Sequence, residues 1–86
     1  MIQKTPDGFL RDRVVIHKGT LLAKVVGTLM ESDVPLSARE ISIETGVERK
    51  RVGTALHQLR FKGWVVRLPK SRDKDGHIGY KWELRE

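Results

Sequence analysis

Cysteine is absent from this 86-residue chain, and with it go disulfides, thiolate zinc sites and thiol nucleophiles. That absence fits a reducing compartment. Histidine is nearly as scarce: His17, His57 and His77 stand too far apart to form a local ligand pair, and no His/Glu pair has the spacing of a metal site. Gly-rich nucleotide signatures are missing too, since His17-Lys-Gly-Thr20 lacks the upstream glycine of a P-loop. Only five aromatics occur (two Phe, two Trp, one Tyr), too few for the aromatic open sheet on which sequence-reading RNA modules stack bases. Long apolar runs are also lacking. The longest, Leu21 to Met30, is broken by Lys24 and Gly27, and the first eight residues hold no apolar stretch of signal-peptide length. The expectation is a soluble, cytoplasmic protein without a membrane partner. A domain this short buries only roughly 60–65 % of its unfolded surface, so it builds one small core and no ordinary substrate cleft. No enzyme activity, metal, cofactor or small-molecule ligand is expected.

Acidic residues are the remaining shortage, and it is local. Seventeen Lys and Arg stand against eleven Asp and Glu, a formal charge of +6. Residues 48–74 hold nine bases (Arg49, Lys50, Arg51, Arg60, Lys62, Arg67, Lys70, Arg72, Lys74) and two acids (Glu48, Asp73), a net +7, while the other 59 residues net −1. Solubility does not require one sign in one place, whereas an anionic partner does.

What is present reads as three helices followed by two strands. Leu21, Leu22, Val25, Val26 and Leu29 form an apolar stripe at helical period, with Thr20 as N-cap and Asp33-Val34-Pro35 ending the run. Ser37-Ala-Arg-Glu40 is a capping box that opens a helix of about two turns, which Gly46 ends. A third helix buries Val52, Ala55, Leu56 and Leu59 and closes at Gly63. Opposite that stripe lie Lys50, Thr54, His57 and Phe61, flanked by Arg51 and Gln58 on one side and by Arg49, Gly53 and Arg60 on the other. Because the apolar face of this helix is needed for the core, it is not free for a membrane surface.

Trp64–Leu68 and His77–Leu84 read as the strands of a β-hairpin, the second alternating Ile78, Tyr80, Trp82 and Leu84 on one face. Between them Pro69–Gly76 forms a long basic tip with an Asp75-Gly76 turn signal. Trp64 and Trp82 sit at positions that read as core rather than as base-stacking platforms. Residues 1–19 form an N-terminal arm without a defined assignment: Pro6-Asp7-Gly8 is a turn, and Phe9–His17 fits a strand, a helical turn or a docking arm.

This ordered set resembles the winged helix-turn-helix superfamily, with small prokaryotic or phage regulators the nearer comparison. The residues that carry the likeness are Leu36-Ser-Ala-Arg-Glu-Ile41, Thr45-Gly-Val47, Val52, Ala55-Leu56, Leu59 and Lys62-Gly-Trp-Val65, and it spans residues 20–86. The resemblance implies an α+β domain of three helices and a β-hairpin wing. It also implies a sequence-specific, double-stranded DNA-binding regulator of transcription, cytoplasmic and nucleoid-associated when bound. The third helix would enter the major groove and the wing would reach an adjacent groove or the backbone. Carried onto this chain, Lys50, Thr54 and His57 face base edges. Arg39, Arg49, Arg51, Gln58, Lys70, Arg72 and Lys74 face the DNA backbone. Gly53, costly inside a helix by about 1 kcal/mol, suits a close backbone approach. The Z-DNA-binding members resemble this chain in length and in a wing-strand Trp, matched by Trp82. Their third-helix Asn and Tyr fall on Gly53 and His57, so left-handed DNA is not the expected target. Many such domains bind as homodimers, for which residues 1–19 and Phe61 are the candidate contacts. The competing expectation is a winged-helix module that contacts protein within a nucleic-acid-processing assembly.

Overall fold

The computed structural model describes residues 2–85 of the chain. It begins with three antiparallel strands, β1 (Gln3–Thr5), β2 (Gly8–Arg11) and β3 (Val14–His17), in the order β1-β2-β3. The N-terminal arm is therefore a small sheet. Pro6 and Asp7 turn the chain between β1 and β2. Asp12 and Arg13 make the two-residue turn between β2 and β3, at φ 48° and 70°. Tight hairpins need this left-handed geometry, which glycine or asparagine usually supplies. Gly8 is fixed for another reason: a Cβ on it would collide with the Ile16 carbonyl oxygen across the sheet.

Helix α1 (Leu21–Glu31) starts where Thr20 accepts a bond from the Ala23 amide at 3.2 Å. Its apolar stripe buries Ala23, Val25, Val26 and Leu29. The chain then makes a two-residue strand, β4 (Leu36–Ser37), before α2 (Ala38–Thr45). The capping box forms as the sequence indicates, with Ser37 Oγ accepting from the Glu40 amide and Glu40 Oε1 accepting from the Ser37 amide. Gly46, at φ 71°, ends α2, and α3 (Arg49–Phe61) follows after a short turn.

α3 buries Val52, Ala55, Leu56 and Leu59, the four residues of the expected stripe. Its C-terminus is closed by amides of Gly63 and Trp64 donating to the carbonyls of Arg60 and Leu59, with Gly63 at φ 79°. This pairing is a Schellman motif. The Arg11 guanidinium donates to the Gly63 carbonyl, so a cation from β2 sits at the negative end of the α3 dipole. The N-terminal sheet is thereby tied to α3.

The chain ends in a second sheet, β5 (Val65–Arg72) and β6 (Ile78–Leu84), ordered β4-β6-β5. Here the structure corrects the expected hairpin. β5 continues through Arg72, so Lys70 and Arg72 are strand residues, and the tip shrinks to the turn between Asp73 and His77. Pro69 is accommodated at a bulge between Leu68 and Lys70, where its missing N–H leaves no ladder bond broken.

Trp64 and Trp82 are buried with Phe9, Ile16 and the stripes of α1 and α3 in one core. The two tryptophans are core residues, as their strand-like positions suggest. The radius of gyration, 12.1 Å, equals the roughly 12 Å of a compact domain this long. No helix among the described residues is long and apolar enough to cross a membrane. Because Phe9 is only 8 % exposed, Phe9→Ala should destabilise the whole domain by about 3–5 kcal/mol in urea unfolding. A change near zero would mean that the N-terminal sheet is an appendage outside the core.

Candidate nucleic-acid interface

The exposed side of α3 is divided between two surfaces. Arg49, Lys50, Gly53 and His57 line a groove of about 810 Å³ whose opposite wall is the β5–β6 hairpin, represented by Lys70, Tyr80 and Trp82. Arg51, Thr54 and Gln58 lie on the other flank, toward the start of α1. Three candidates are thus gathered from α3 into the groove and three are turned away from it. The Thr54 hydroxyl donates back to the Lys50 carbonyl at 3.2 Å, which fixes its rotamer and leaves its oxygen free to accept. Phe61, 95 % exposed, packs on neither wall.

His57 is exposed but oriented. Its ring meets Trp82 edge to face, with centroids 5.8 Å apart and an interplanar angle of 85°, a favoured aromatic geometry. Trp82 is 4 % exposed, so it serves the core while its rim forms the groove floor. Tyr80 is a site residue that sequence reasoning missed. Arg67 lies over its ring at 4.2 Å and Lys70 at 5.2 Å, each pairing worth about 0.5–1 kcal/mol on a surface. One phenol ring therefore meets two cations of β5. The available signal was the alternation that put Tyr80 on the same strand face as Trp82.

The hairpin turn is held from below by Asp73. Its Oδ1 accepts from the amides of Asp75 and His77, each at 3.0 Å, and its Oδ2 accepts from the Ser37 hydroxyl at 3.4 Å. Arg39 of α2 completes the arrangement, 3.6 Å from Asp73 and 2.7 Å from Asp75. Arg39 is therefore an internal clasp between α2 and the hairpin, not the free backbone-facing cation expected from the sequence. Nearby, Lys81 of β6 donates to Glu40 Oε1 at 3.2 Å, a second tie to α2. Arg72 and Lys74 lie outside the groove: Arg72 bonds the Gly76 carbonyl at 3.1 Å, and Lys74 is exposed in the turn.

Burial works to raise the pKa of both buried carboxyls, yet each ends below the usual carboxylate range. For Asp73 the His77 and Asp75 amides and the Arg39 charge outweigh burial. For Glu40 the Ser37 amide and the Lys81 ammonium do so. The Arg39 guanidinium is shifted upward, chiefly by its bond to Asp75, and stays charged.

All nine basic residues of the 48–74 segment are exposed, and among the described residues none is ion-paired. Three of the nine, Arg49, Lys50 and Arg51, occupy the first turn of α3, where Glu48 supplies no side-chain cap and no acid is present. The N-terminal end of a helix is electropositive, so each cation there is disfavoured by about 0.3–1 kcal/mol. α2 shows the ordinary arrangement, capped and with Glu40 in its first turn. In comparisons with known proteins, no protein-family model, no curated protein and no solved structure matches the chain.

The depressed carboxyls fix the acid response. A carboxyl with a lowered folded pKa stabilises the fold above its unfolded value, about 4, and that contribution is lost as pH falls through the folded pKa. The thermal midpoint should therefore drop as pH falls below about 4. Asp73→Asn should melt lower than wild type at pH 7 and show a smaller drop over the acid range. An unchanged acid response in the variant would remove Asp73 from this role.

Proposed function

We propose that the domain is a winged helix-turn-helix module that binds double-stranded DNA with sequence preference and acts as a transcriptional regulator, by binding and not by catalysis. α3 enters the major groove and the β5–β6 hairpin, as the wing, lies against the adjacent groove or backbone. The observation that carries this reading is the set of nine exposed cations on α3, the turn after it and the hairpin, none of them ion-paired with a described acid.

Two physical arguments support it. Like charges concentrated at the positive end of a helix are unfavourable in the free protein, and a phosphate brought to that end relieves both repulsions together. The groups gathered in the groove also divide as DNA recognition requires. Lys50 can donate to base edges and His57 can donate to them or accept from them, while Arg49 and Lys70 supply cationic donors for phosphate oxygens. Thr54, Arg51 and Gln58 on the other flank extend the footprint toward α1.

A second reading, a winged-helix module for protein contact, is favoured by one observation. A phenylalanine 95 % exposed at the end of α3 suits an apolar partner better than a phosphate.

Affinity for duplex should fall linearly with log salt, and the Arg49/Lys50/Arg51 triple-alanine variant should lower that slope by about two to three. Salt-independent binding, or a triple variant indistinguishable from wild type, would sink the DNA reading. Within sites enriched from a random duplex pool, Lys50→Ala or His57→Ala should relax preference at one base pair by about 1–3 kcal/mol. Arg72→Ala should weaken all sequences alike. A preference left intact in both base-facing variants would move recognition elsewhere on α3.

A further inference from the structure

Five of the eight glycines are explained by their backbone, and a sixth faces the core. Gly8, Gly19, Gly46, Gly63 and Gly76 have positive φ, and a Cβ added to Gly27 of α1 would meet the Phe9 ring at 3.6 Å, an ordinary van der Waals contact that alanine can make. The two left over are Gly53 in α3 and Gly79 in β6. Neither has a positive φ, and a Cβ on either would meet no protein atom within 4 Å. Both line the groove between α3 and the hairpin, on opposite walls.

Gly53 is the costlier of the two. In the middle of a 13-residue helix it loses more backbone freedom than alanine would, and no turn, bulge or close packing offsets that loss. Its neighbours one turn to either side, Lys50 and His57, line the same groove, so the face that Gly53 leaves bare is the face between them. Around that bare patch stand Arg49, Lys50 and Lys70, none ion-paired among the described residues, with Tyr80 across the groove and one exposed carboxylate, Glu48, beside Arg49. The carboxylate of Asp73, which also lines the groove, is turned to Arg39 and the hairpin amides.

We infer that Gly53 is the point of closest approach to DNA. One sugar–phosphate strand of the duplex seats in the groove against the bare α3 backbone, and this seating sets the depth at which Lys50 and His57 reach base edges. The inference rests on the DNA-binding reading of the same face and makes Gly53 a positioning residue for it. A methyl group there holds the strand away from the helix by about the length of a C–C bond, roughly 1.5 Å. That displacement is enough to take hydrogen bonds of about 2.7–3.2 Å out of range.

The test compares Gly53→Ala with Gly27→Ala, which makes the same exchange in a helix that does not line the groove. Both variants should melt higher than wild type by about 4–8 °C, from the gain in helix propensity. Gly27→Ala should bind a selected duplex as wild type does. Gly53→Ala should bind at least about tenfold more weakly despite its greater stability. Equal binding by the two variants overturns the inference while leaving the DNA reading in place. A Gly53→Ala chain that melts below wild type also overturns it, by giving the glycine a structural role. A wild-type chain that ignores duplex at low salt removes the DNA reading itself, and the inference with it.

Discussion

Asp73 is 7 % exposed although it sits in a surface turn, and the position of the hairpin depends on that one carboxylate. A buried charge is costly unless hydrogen bonds and an opposite charge compensate it. Here two turn amides, the Ser37 hydroxyl and Arg39 do so. The compensation is also a linkage, because the partners come from the turn itself, from the N-cap of α2 and from the first turn of α2. Ser37 takes part three times: it pairs with Lys81 in β4, caps α2 through Glu40 and donates to Asp73. Moving the hairpin would break a strand pair, the hydrogen bond from the α2 N-cap and an ion pair together. The width of the groove between α3 and β6 is therefore set before any ligand arrives, which lowers the ordering cost of binding.

The apolar side of the molecule does the complementary work. Nine like charges within one 27-residue stretch repel one another, and three of them oppose a helix dipole. The fold tolerates this because α3 holds its position through Val52, Leu56 and Leu59, none of them exposed, and through a C-terminus that Arg11 bonds from the far sheet. Stability is concentrated on the inner face of α3 and electrostatic strain on the outer one. A helix so arranged is anchored well enough to hold an outer face that is electrostatically unfavourable in the free protein.

Much of this was legible from local pattern. The stripe of α1, the capping box of α2, the four buried residues of α3 and the glycines that end α2 and α3 all lie where periodicity and capping chemistry place them. Two features were hidden for identifiable reasons. The β2–β3 hairpin turns on Asp12 and Arg13 in left-handed geometry, and with no glycine or asparagine at those positions the sequence carries no turn signal. The clasp between Arg39 and the hairpin joins residues 36 apart, beyond the reach of any helix or hairpin spacing rule. Its only trace was the presence of Asp73, one of two acids in an otherwise basic segment.

The clasp also changes where the positive field lies. Counted along the chain, charge rises toward the hairpin tip, where Lys70, Arg72 and Lys74 cluster. In space, Asp73 and Asp75 are folded onto a single arginine, so the tip carries an acid in excess of its partner and Arg72 and Lys74 are partly offset. Arg49, Lys50 and Lys70, around the middle of the groove, form no ion pair among the described residues, and together they outnumber Glu48, the exposed acid that lines the groove with them. Field strength falls with distance and is screened within about 8–10 Å at physiological salt. On the DNA-binding reading proposed above, an approaching phosphate strand is drawn more strongly to the body of the groove, beside Gly53 and Tyr80, than to the tip. The same carboxylate that orients the hairpin mechanically also directs where along the hairpin an anion is held.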